Sequence, residues 1–402
     1  MSIRITLVRH GRSEANEANL WQGQGNAALS EQGRSQVSSL SRRIGRRHFD
    51  LVVSSDLDRA SDTARAVSEE PEIDKAWREM DLGTWEGRSF SEVAALHPDL
   101  LEAIRNGDAL AFGETGETLG EFERRALDAL DGLVDRLDDG ESALVATHGG
   151  VIDAIVGRYL GRVDGRRTVP ITTNTALTVL EGRPGSLKLA VFNDATHLGI
   201  DVGYLGRMRE AETPILAFVR HGITAANKEG RIQGRMCWGL DEEGFAQASA
   251  LADWYPRPDR VLSSPSQRAV ETASAFGTLV EHVPDVVEMS FGSWEGLRRE
   301  DLPEDTAQAF RDDLPRGETG ETFVDVVARM GRFLSAAQPE DRTVVVSHGA
   351  AIRAAIASIV ERGNDLNRDL AVARNSSVTH VAFTPDGPIL ADYSLAPHLE
   401  DD

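Results

Sequence analysis

The sequence predicts an α/β protein made of two tandem three-layer α/β/α domains, each with a mainly parallel sheet covered by helices on both faces. The first observation is an internal repeat, because the segment 7–16 returns as the segment 218–227. The second is that strand-like and helical patterns alternate after both copies, which implies right-handed crossovers between parallel strands. We therefore expect domains at residues 1–206 and 214–402, joined by the polar, charged segment 206–214.

Each copy of the repeat begins with an apolar, β-branched run that ends in Arg-His-Gly. The run predicts a buried strand, and the glycine ends it. Arg9 and His10, like Arg220 and His221, are therefore expected at the carboxyl end of a strand, where open α/β sheets bind ligands. Histidine forms covalent intermediates and arginine matches phosphate oxygens, so the pair suits a nucleophile beside a phosphate clamp. One copy alone would more often be a structural histidine, but everything downstream repeats as well.

The next elements recur in the same order in both halves. Helices are predicted at 32–47 and 243–254, and second strands ending in Ser-Ser at 50–55 and 259–264. Arg59 and Arg268 follow, each at the start of another helix. The N-terminus of a helix attracts anions through its free N–H groups and dipole, and an arginine there strengthens the attraction. A solvated helix-end arginine explains one copy equally well, whereas its recurrence at the same distance from Arg-His favours a function.

Each half then carries two acidic residues around a Gly-x-Trp-Glu-Gly motif, Glu79 with Glu86 and Glu288 with Glu295. A carboxylic acid can protonate a leaving group. A carboxylate before a glycine turn is, however, more often a capping or surface group. Spacing alone therefore leaves open which of the two carboxylates in each half is chemical.

The motif Gly-Glu-Thr-Gly-Glu-Thr occurs at 113–118 and at 317–322 and leads into a helix start signal. Thr118 with Glu121 matches a capping box, and the pair at the same place in the second half has an aspartate in the glutamate position. The helix after Thr118 carries an apolar stripe at helical spacing, which predicts a core face rather than a cofactor surface.

A late buried strand leads in each half to a further histidine, His148 or His348, followed by glycine and a helical pattern. A histidine at a strand end and helix N-terminus lies where an oxyanion would bind. The final strands are expected to begin near Asn174 and Asn375.

Composition limits the class of partner and compartment. The formal charge of −22 argues against nucleic acid and anionic membranes as partners, since both favour basic surfaces. The single cysteine, Cys237, excludes an internal disulfide, and neither a signal peptide nor a long apolar run is recognised, so a cytoplasmic protein is expected. No clustered set of metal ligands is apparent in the sequence, and we expect neither a metal ion nor another cofactor.

These motifs together resemble the histidine phosphatase superfamily, which includes the cofactor-dependent phosphoglycerate mutases and many small-molecule phosphatases. The resemblance spans nearly the whole chain twice and rests on five elements in the family's order: Arg-His-Gly, the helix-start arginine, Glu-x-x-x-Gly-x-Trp-Glu-Gly, Gly-Glu-Thr and the late His-Gly. It implies nucleophiles at His10 and His221, proton donors at Glu79 and Glu288, and structural roles for Glu86 and Glu295. It also implies phosphate pockets lined by Arg9, Asn16, Arg59 and His148 and by Arg220, Asn227, Arg268 and His348.

The function that the resemblance implies is metal-independent hydrolysis of a small-molecule phosphate monoester through a phosphohistidine intermediate. His10 would attack phosphorus in line while Arg9, Arg59 and His148 neutralise the phosphoryl oxygens. Glu79 would protonate the leaving alcohol and then accept a proton from the attacking water.

Three alternatives stay open. Phosphoglycerate mutase-type transfer uses the same groups, but the stretches at 88–112 and 297–316, where the mutases carry a longer basic insertion, are short. They hold few basic residues, which are Arg88, Arg105, Arg298, Arg299, Arg311 and Arg316. One domain could instead be a non-catalytic phosphoryl-binding or scaffolding module, or the two domains could act on different substrates. If the halves contact each other, they would form a pseudo-two-fold dimer within one chain.

Overall fold

The computed structural model describes residues 2–45, 47–99, 110–163, 166–304, 306–340 and 342–399. The chain divides into two compact units. Unit 1 comprises residues 1–167 and 171–204, and unit 2 comprises residues 168–170 and 205–402. Arg105, one of the basic residues noted in the sequence, lies outside the described residues.

Unit 1 contains a six-stranded sheet in the order β3-β2-β4-β1-β5-β6. Its strands are β1 (Ile3–Arg9), β2 (Leu51–Ser54), β3 (Glu72–Ile73), β4 (Ser142–Thr147), β5 (Leu177–Gly182) and β6 (Lys188–Asp194). The first four strands in this order run parallel, and β5 and β6 add an antiparallel hairpin at one edge. The predicted mainly parallel sheet is confirmed.

The helices of unit 1 connect these strands. They are α1 (Glu14–Glu17), α2 (Glu31–Ile44), α3 (Asp58–Arg65), α4 (Phe90–Leu96), α5 (Leu119–Val134) and α6 (Gly149–Leu160), and α7 (Gly203–Glu210) follows at the end of the unit. Helix α7 occupies part of the segment 206–214 that we expected to be a linker, because its leucine, methionine, arginine and glutamate residues favour helix.

Unit 2 repeats the arrangement with a sheet in the order β12-β11-β7-β10-β8-β9. Its strands are β7 (Ile215–Arg220), β8 (Arg260–Ser263), β9 (Val280–His282), β10 (Thr343–Ser347), β11 (Val378–Thr384) and β12 (Gly387–Leu390). Its helices are α8 (Ala225–Lys228), α9 (Glu242–Trp254), α10 (Gln267–Ser274), α11 (Thr306–Arg311), α12 (Phe323–Ala336), α13 (Gly349–Val360) and α14 (Leu366–Asp369). Strands β7 to β10 run parallel, and β11 and β12 are antiparallel.

The register of the central strands places the Arg-His-Gly motif beside the late His-Gly motif in each unit. In unit 1 Arg9 pairs with Thr147 at the ends of β1 and β4, and in unit 2 Arg220 pairs with Ser347 at the ends of β7 and β10. The next residue on each strand is therefore a histidine beside another histidine. Both strands of each pair are apolar and almost fully buried, so they belong to the core. The core therefore holds the carboxyl ends of these strands, and the two histidines, in place.

Local signals in the sequence agree with the elements observed. The Thr118–Glu121 capping box is complete, and so is the pair Thr322 and Asp325, because the shorter aspartate also reaches the threonine N–H, at 3.0 Å. The apolar stripe of α5 is core, with Phe122, Ala126, Leu130 and Leu133 buried. Within the described part of the chain, no helix is long and apolar enough to cross a membrane.

Candidate active sites

The carboxyl ends of β1, β2 and β4 converge on one site in unit 1. Arg9 and His10 follow β1, His148 follows β4, and Arg59 lies in the first turn of α3 after β2. His10, Arg59 and His148 are all buried, with 3%, 1% and 0% of their surfaces exposed. The sequence places these residues far apart, and the sheet topology brings them together.

The His10 ring is held in one tautomer by the backbone. Its Nδ1 lies 2.7 Å from the Gly11 carbonyl oxygen, which can only accept, so Nδ1 carries the proton and Nε2 keeps a free electron pair. The Gly11 N–H donates to Thr63 Oγ1 at 3.0 Å, and the Asn174 side-chain amide donates to the His10 carbonyl oxygen at 2.9 Å. The ring tautomer and the backbone on either side of the ring are thus fixed, and Nε2 is left unprotonated.

Arg59 is anchored through its terminal nitrogens. These nitrogens donate to the carbonyl oxygens of Gly25 (2.7 Å) and Gly23 (2.9 Å) in the glycine-rich loop after α1. Its Nε is buried, and no hydrogen-bond partner for it is found in the described structure. Burial lowers the pKa of the Arg59 guanidinium, which the charge of Glu79 opposes. Arg59 remains a cation that lacks a full set of acceptors, a state that suits an anionic ligand.

Arg9 and His148 complete the pocket around His10. The Arg9 guanidinium donates to the Thr172 carbonyl oxygen. His148 Nε2 lies 2.9 Å from Ser55 Oγ, and its Nδ1 is buried without a partner in the described residues. The rings of His10 and His148 lie 5.2 Å apart.

Both histidines are kept neutral by their surroundings. Burial lowers the pKa of His10 well below its usual range, and the nearby charges of Arg59 and Arg9 lower it further. Burial and then Arg59 lower the pKa of His148 in the same way. A neutral His10 is the form that can attack an electrophile.

Glu79 binds the N-terminus of α6. Its two carboxylate oxygens accept from the N–H groups of Met80 and Gly150, each at 3.0 Å. A Cβ atom on Gly150 would lie 2.2 Å from Glu79 Oε1, so any larger residue here would require the carboxylate to shift. Glu86, the second carboxylate of the motif, instead accepts from the Gln24 N–H at 2.6 Å and braces the glycine-rich loop.

Unit 2 reproduces the geometry around its histidines. His221 Nδ1 lies 2.7 Å from the Gly222 carbonyl oxygen, and the rings of His221 and His348 lie 5.2 Å apart. His348 Nε2 lies 2.8 Å from Ser264 Oγ. Burial, and after it Arg268, lowers the pKa of both histidines well below their usual range. Here Arg268 Nε donates to His221 Nε2 at 3.3 Å, which identifies that nitrogen as the acceptor.

The arginines and the carboxylate of unit 2 are also held tightly. Arg268 donates to the carbonyl oxygens of Met236 (3.1 Å) and Gly234 (2.8 Å), and Arg220 donates to that of Ala373 (2.7 Å). Burial lowers the pKa of Arg220 to about 10, and the charge of Glu288 opposes the shift.

Glu288 accepts from the first turn of α13 through two residues. Its oxygens lie 3.2 and 3.4 Å from the Ala350 nitrogen, and Oε1 lies 3.2 Å from the Ala351 nitrogen. Glu295 accepts from the Phe291 N–H at 2.9 Å, away from this turn.

Asn16 and Asn227 are each linked to the backbone of the first histidine of their unit through one intervening asparagine. The side-chain amide of Asn174 bridges Asn16 Oδ1 (3.4 Å) and the His10 carbonyl oxygen, and Asn375 bridges Asn227 and His221 in the same way. The structure therefore brings together every residue that the sequence places in the two sites.

Sequence reasoning missed two pairs that orient these residues. Ser55 and Ser264, the second serine of each Ser-Ser motif, contact the late histidines, and Asn174 and Asn375 hold the early ones. The recurrence of Ser-Ser and of the late asparagine in both halves was the available signal.

A third missed feature is an arginine that organises the loop bearing each carboxylate. Arg125 donates to the Glu79 carbonyl oxygen at 3.2 Å and forms an ion pair with Glu117 at 2.7 Å. Arg329 binds the Val287 carbonyl oxygen (3.0 Å) and Glu321 (3.3 Å) in unit 2. Glu117 and Glu321 are the second glutamates of Gly-Glu-Thr-Gly-Glu-Thr, so the repeat of that motif was the signal.

The two α/β units each match one known protein family. The histidine phosphatase superfamily (branch 1) matches residues 5–195 and again residues 216–395. The chain belongs to this superfamily, and it contains two tandem copies of the family's domain. Across the described residues no group of three or more histidine, cysteine, aspartate or glutamate side chains is placed to hold a metal ion.

Named relatives include both phosphatases and mutases. The chain is 34% identical over 168 residues to a glucosyl-3-phosphoglycerate phosphatase of Mycolicibacterium vanbaalenii, covering 39% of this chain and 74% of the relative. It is 31% identical to a metal-independent phosphoserine phosphatase of Arabidopsis thaliana, and the alignment covers 50% of this chain and 86% of the relative. It is 28% identical to a probable phosphoglycerate mutase of Erwinia tasmaniensis, and the alignment covers 40% of this chain and 75% of the relative. None of these three alignments extends over more than half of this chain.

Proposed function

We propose that both units hydrolyse small phosphate monoesters through a phosphohistidine intermediate, on His10 in unit 1 and on His221 in unit 2. The observation that carries this proposal is the tautomer of the two rings. Each Nδ1–H donates to the next residue's carbonyl oxygen, at 2.7 Å, and this leaves each Nε2 unprotonated at the pocket. A neutral imidazole fixed in this way can attack phosphorus without first losing a proton.

The hydrogen-bond donors around each ring would bind the transferred phosphoryl group. Arg9, Arg59 and His148 surround His10, and buried nitrogens of Arg59 and His148 lack partners within the described chain. Three phosphoryl oxygens offer acceptors to these donors, and charge stabilisation supplies most of the catalysis in phosphoryl transfer.

Glu79 and Glu288 would act as proton donors to the leaving alcohol. Each lies at the helix N-terminus beside the late histidine and within electrostatic reach of the helix-start arginine. After the alcohol leaves, the same carboxylate would accept a proton from the water that attacks the phosphohistidine.

Hydrolysis is favoured over mutase-type transfer because three of the basic residues in the stretches 88–112 and 297–316 are engaged elsewhere. Arg316 is fully buried and bound to the Ala309 carbonyl oxygen (2.7 Å) and Asp313 (3.0 Å). Arg298 pairs with Glu300, and Arg88 donates to the Thr84 carbonyl oxygen. Few basic groups are therefore left to retain a released phosphate ester and exclude water.

The experiment measures phosphate release from a panel of small phosphate esters without added metal. It compares the wild type, His10→Ala, His221→Ala and the double variant. We expect each single variant to lose the activity of its own unit and the double variant to fall to background. Intact-protein mass spectrometry after rapid quenching should show a phosphoryl group that both substitutions together remove.

The outcomes separate the alternatives. Release that survives in the double variant would refute the phosphohistidine mechanism. If one single variant abolishes all release and the other none, over the whole panel, one unit is a non-catalytic module. Transfer of the phosphoryl group to a second alcohol faster than to water would indicate a mutase.

A further inference from the structure

The two sites differ at one position of the helix that follows the late histidine. Arg353 lies four residues after Gly349 in α13, and its counterpart in α6 is Asp153, four residues after Gly149. Residues four apart lie on the same face of a helix. A Cβ atom on Gly349 would lie 3.6 Å from Arg220 Nε, so the face that carries Arg353 is directed toward Arg220 and the site.

Arg353 has no anionic partner within the chain that the structure describes. Its Nε is buried without a hydrogen bond, and Glu288, which is within electrostatic reach, is bound by the helix N–H groups instead. Burial lowers the pKa of the Arg353 guanidinium, and the Tyr393 hydroxyl and Glu288 oppose the shift. A partly buried guanidinium without a partner is costly, and an anionic ligand would offset that cost.

Arg299 supplies a second cation at the rim of the same site. It is exposed and within electrostatic reach of both Arg220 and Arg353. No hydrogen-bond or ion-pair partner of its side chain is found among the described residues, whereas its neighbour Arg298 pairs with Glu300. The two cations lie at different depths on one side of the site.

Unit 1 has neither cation at these positions. Asp153 carries the opposite charge and pairs with Arg162 at 3.5 Å and Arg167 at 3.9 Å. The counterpart of Arg299 is Phe90, since each follows the residue that bridges to the glycine-rich loop. Phe90 is 51% exposed and stacks on Trp21, with ring centroids 6.0 Å apart.

We propose that the site of unit 2 selects phosphate monoesters that carry a second anionic group, which Arg353 binds inside the pocket and Arg299 binds at the rim. The proposal rests on the function proposed above, because the phosphoryl group must lie at His221 for the second group to reach Arg353. The site of unit 1, with Asp153 and Phe90, accepts esters without that second charge.

The arginines would act on binding rather than on the chemical step. A carboxylate pairs with a guanidinium through charge-assisted hydrogen bonds, and such bonds correspond to a factor of about 10 to 100 in affinity. Because the second group does not change charge during the reaction, the factor should fall on KM and leave kcat nearly unchanged.

The test uses the full-length His10→Ala protein, in which only unit 2 can turn over. Phosphate release is measured from the phosphate esters of glycolate and hydroxypropionate, each beside its uncharged amide. We expect kcat/KM to be about 10- to 100-fold higher for at least one acid than for its amide. Arg353→Met should remove that preference through KM, and Arg332→Met, at an exposed arginine of α12, should leave both the preference and the amide turnover unchanged.

Equal turnover of each acid and its amide, or a preference that survives Arg353→Met, would overturn the proposal. If no ester is hydrolysed at His221, the proposed function fails for unit 2. The proposed anion site is then tested separately, by a binding measurement. Phosphonopropionate and its amide are titrated calorimetrically against the wild type and Arg353→Met. Tighter binding of the acid that Arg353→Met removes would support the anion site, and equal binding of acid and amide would exclude it.

Discussion

The two units are alike where a phosphoryl group would bind and differ where the rest of a substrate would lie. The distance from histidine Nδ1 to the next carbonyl oxygen is 2.7 Å in both, and the paired rings lie 5.2 Å apart in both. The surroundings of this base differ, with Asp153 and Phe90 in unit 1 and Arg353 and Arg299 in unit 2. Phosphoryl transfer constrains the base of a site tightly, whereas a rim side chain can change without disturbing it.

The carboxylates show how far the base itself can vary. Glu79 lies directly against Gly150, which leaves no room for a Cβ atom. Unit 2 has Ala350 at the same position, and Glu288 binds across both Ala350 and Ala351. A single methyl group is thus accommodated by a second N–H contact, and the carboxylate remains at the helix N-terminus.

The largest effect that compares the units is expected from Glu79→Gln and Glu288→Gln. Each change removes the acid that would protonate the leaving alcohol and should lower kcat of its own unit by about 10²- to 10⁴-fold with alkyl phosphates. Glu79→Gln is assayed in the His221→Ala protein and Glu288→Gln in the His10→Ala protein, so that the activity of one unit is measured at a time.

A nitrophenyl phosphate is the control substrate for these variants, because its leaving group needs little protonation. The loss of activity with it should be much smaller than with an alkyl phosphate. Equal losses with both substrates would show that the two glutamates are structural. A loss in only one unit would show that the base of the two sites is less alike than the distances indicate.

Asp153→Arg is expected to transfer part of the selectivity of unit 2 to unit 1. It places a guanidinium on the helix face directed toward Arg9 and should raise kcat/KM for a carboxylate-bearing ester about 3- to 10-fold. The measurement uses the His221→Ala protein, and Asp153→Asn is the control for losing the ion pairs with Arg162 and Arg167. A gain that Asp153→Asn reproduces would mean that the new positive charge is not its cause.

Phe90→Ala should have a smaller effect, confined to esters of aromatic or apolar alcohols in unit 1. The stacked pair of Trp21 and Phe90 offers an apolar surface, and removal of one ring should raise KM about 2- to 10-fold. Arg299→Ala is the matched change in unit 2 and should affect acidic esters instead. If both substitutions alter the same substrates, the rims do not discriminate as proposed.

The smallest difference concerns acid stability. Folding lowers the pKa of His10, His148, His221 and His348, so the unfolded chain binds more protons once the pH falls below about 6.5. Stability should be complete above that pH and decline toward pH 5, by at most about 1.4 kcal/mol per pH unit for each histidine.

In unit 1 burial also lowers the pKa of His197, to about 4, so this histidine adds to the decline of stability between about pH 6.5 and pH 4. Urea unfolding between pH 8 and pH 5, followed separately for each unit by tryptophan fluorescence or hydrogen exchange, measures it. Constant stability over this range in both units would contradict the neutral, buried state of the histidines.

The residues that the sequence places at the base of each site lie close together in the structure, because their short motifs follow the ends of neighbouring strands. Arg9-His10 and His148 needed only a strand, a glycine and a repeat to be recognised. Arg125 was missed because its partners, Glu117 and the Glu79 carbonyl oxygen, lie 8 and 46 residues away along the chain. Side-chain contacts of this kind depend on helix packing, which local patterns do not specify.

A buried polar cluster in unit 2 could also not be predicted from the sequence. His380 shows no motif, yet its ring lies 2.8 Å from Asp392 and 3.0 Å from the Tyr255 hydroxyl, and all three residues are at most 3% exposed. The three come from β11, the segment after β12, and the end of α9. The buried histidine has hydrogen-bond partners only because the fold brings these three elements together.

The position of Glu79 and Glu288 has a consequence for how the free enzyme holds charge. With no substrate bound, each carboxylate balances nearby arginines and accepts the N–H groups that begin a helix. A phosphate dianion brings two further negative charges into the site and would compete with the carboxylate for the same arginines. The carboxylate is in this sense an internal counter-ion, which the phosphoryl group would replace beside those arginines.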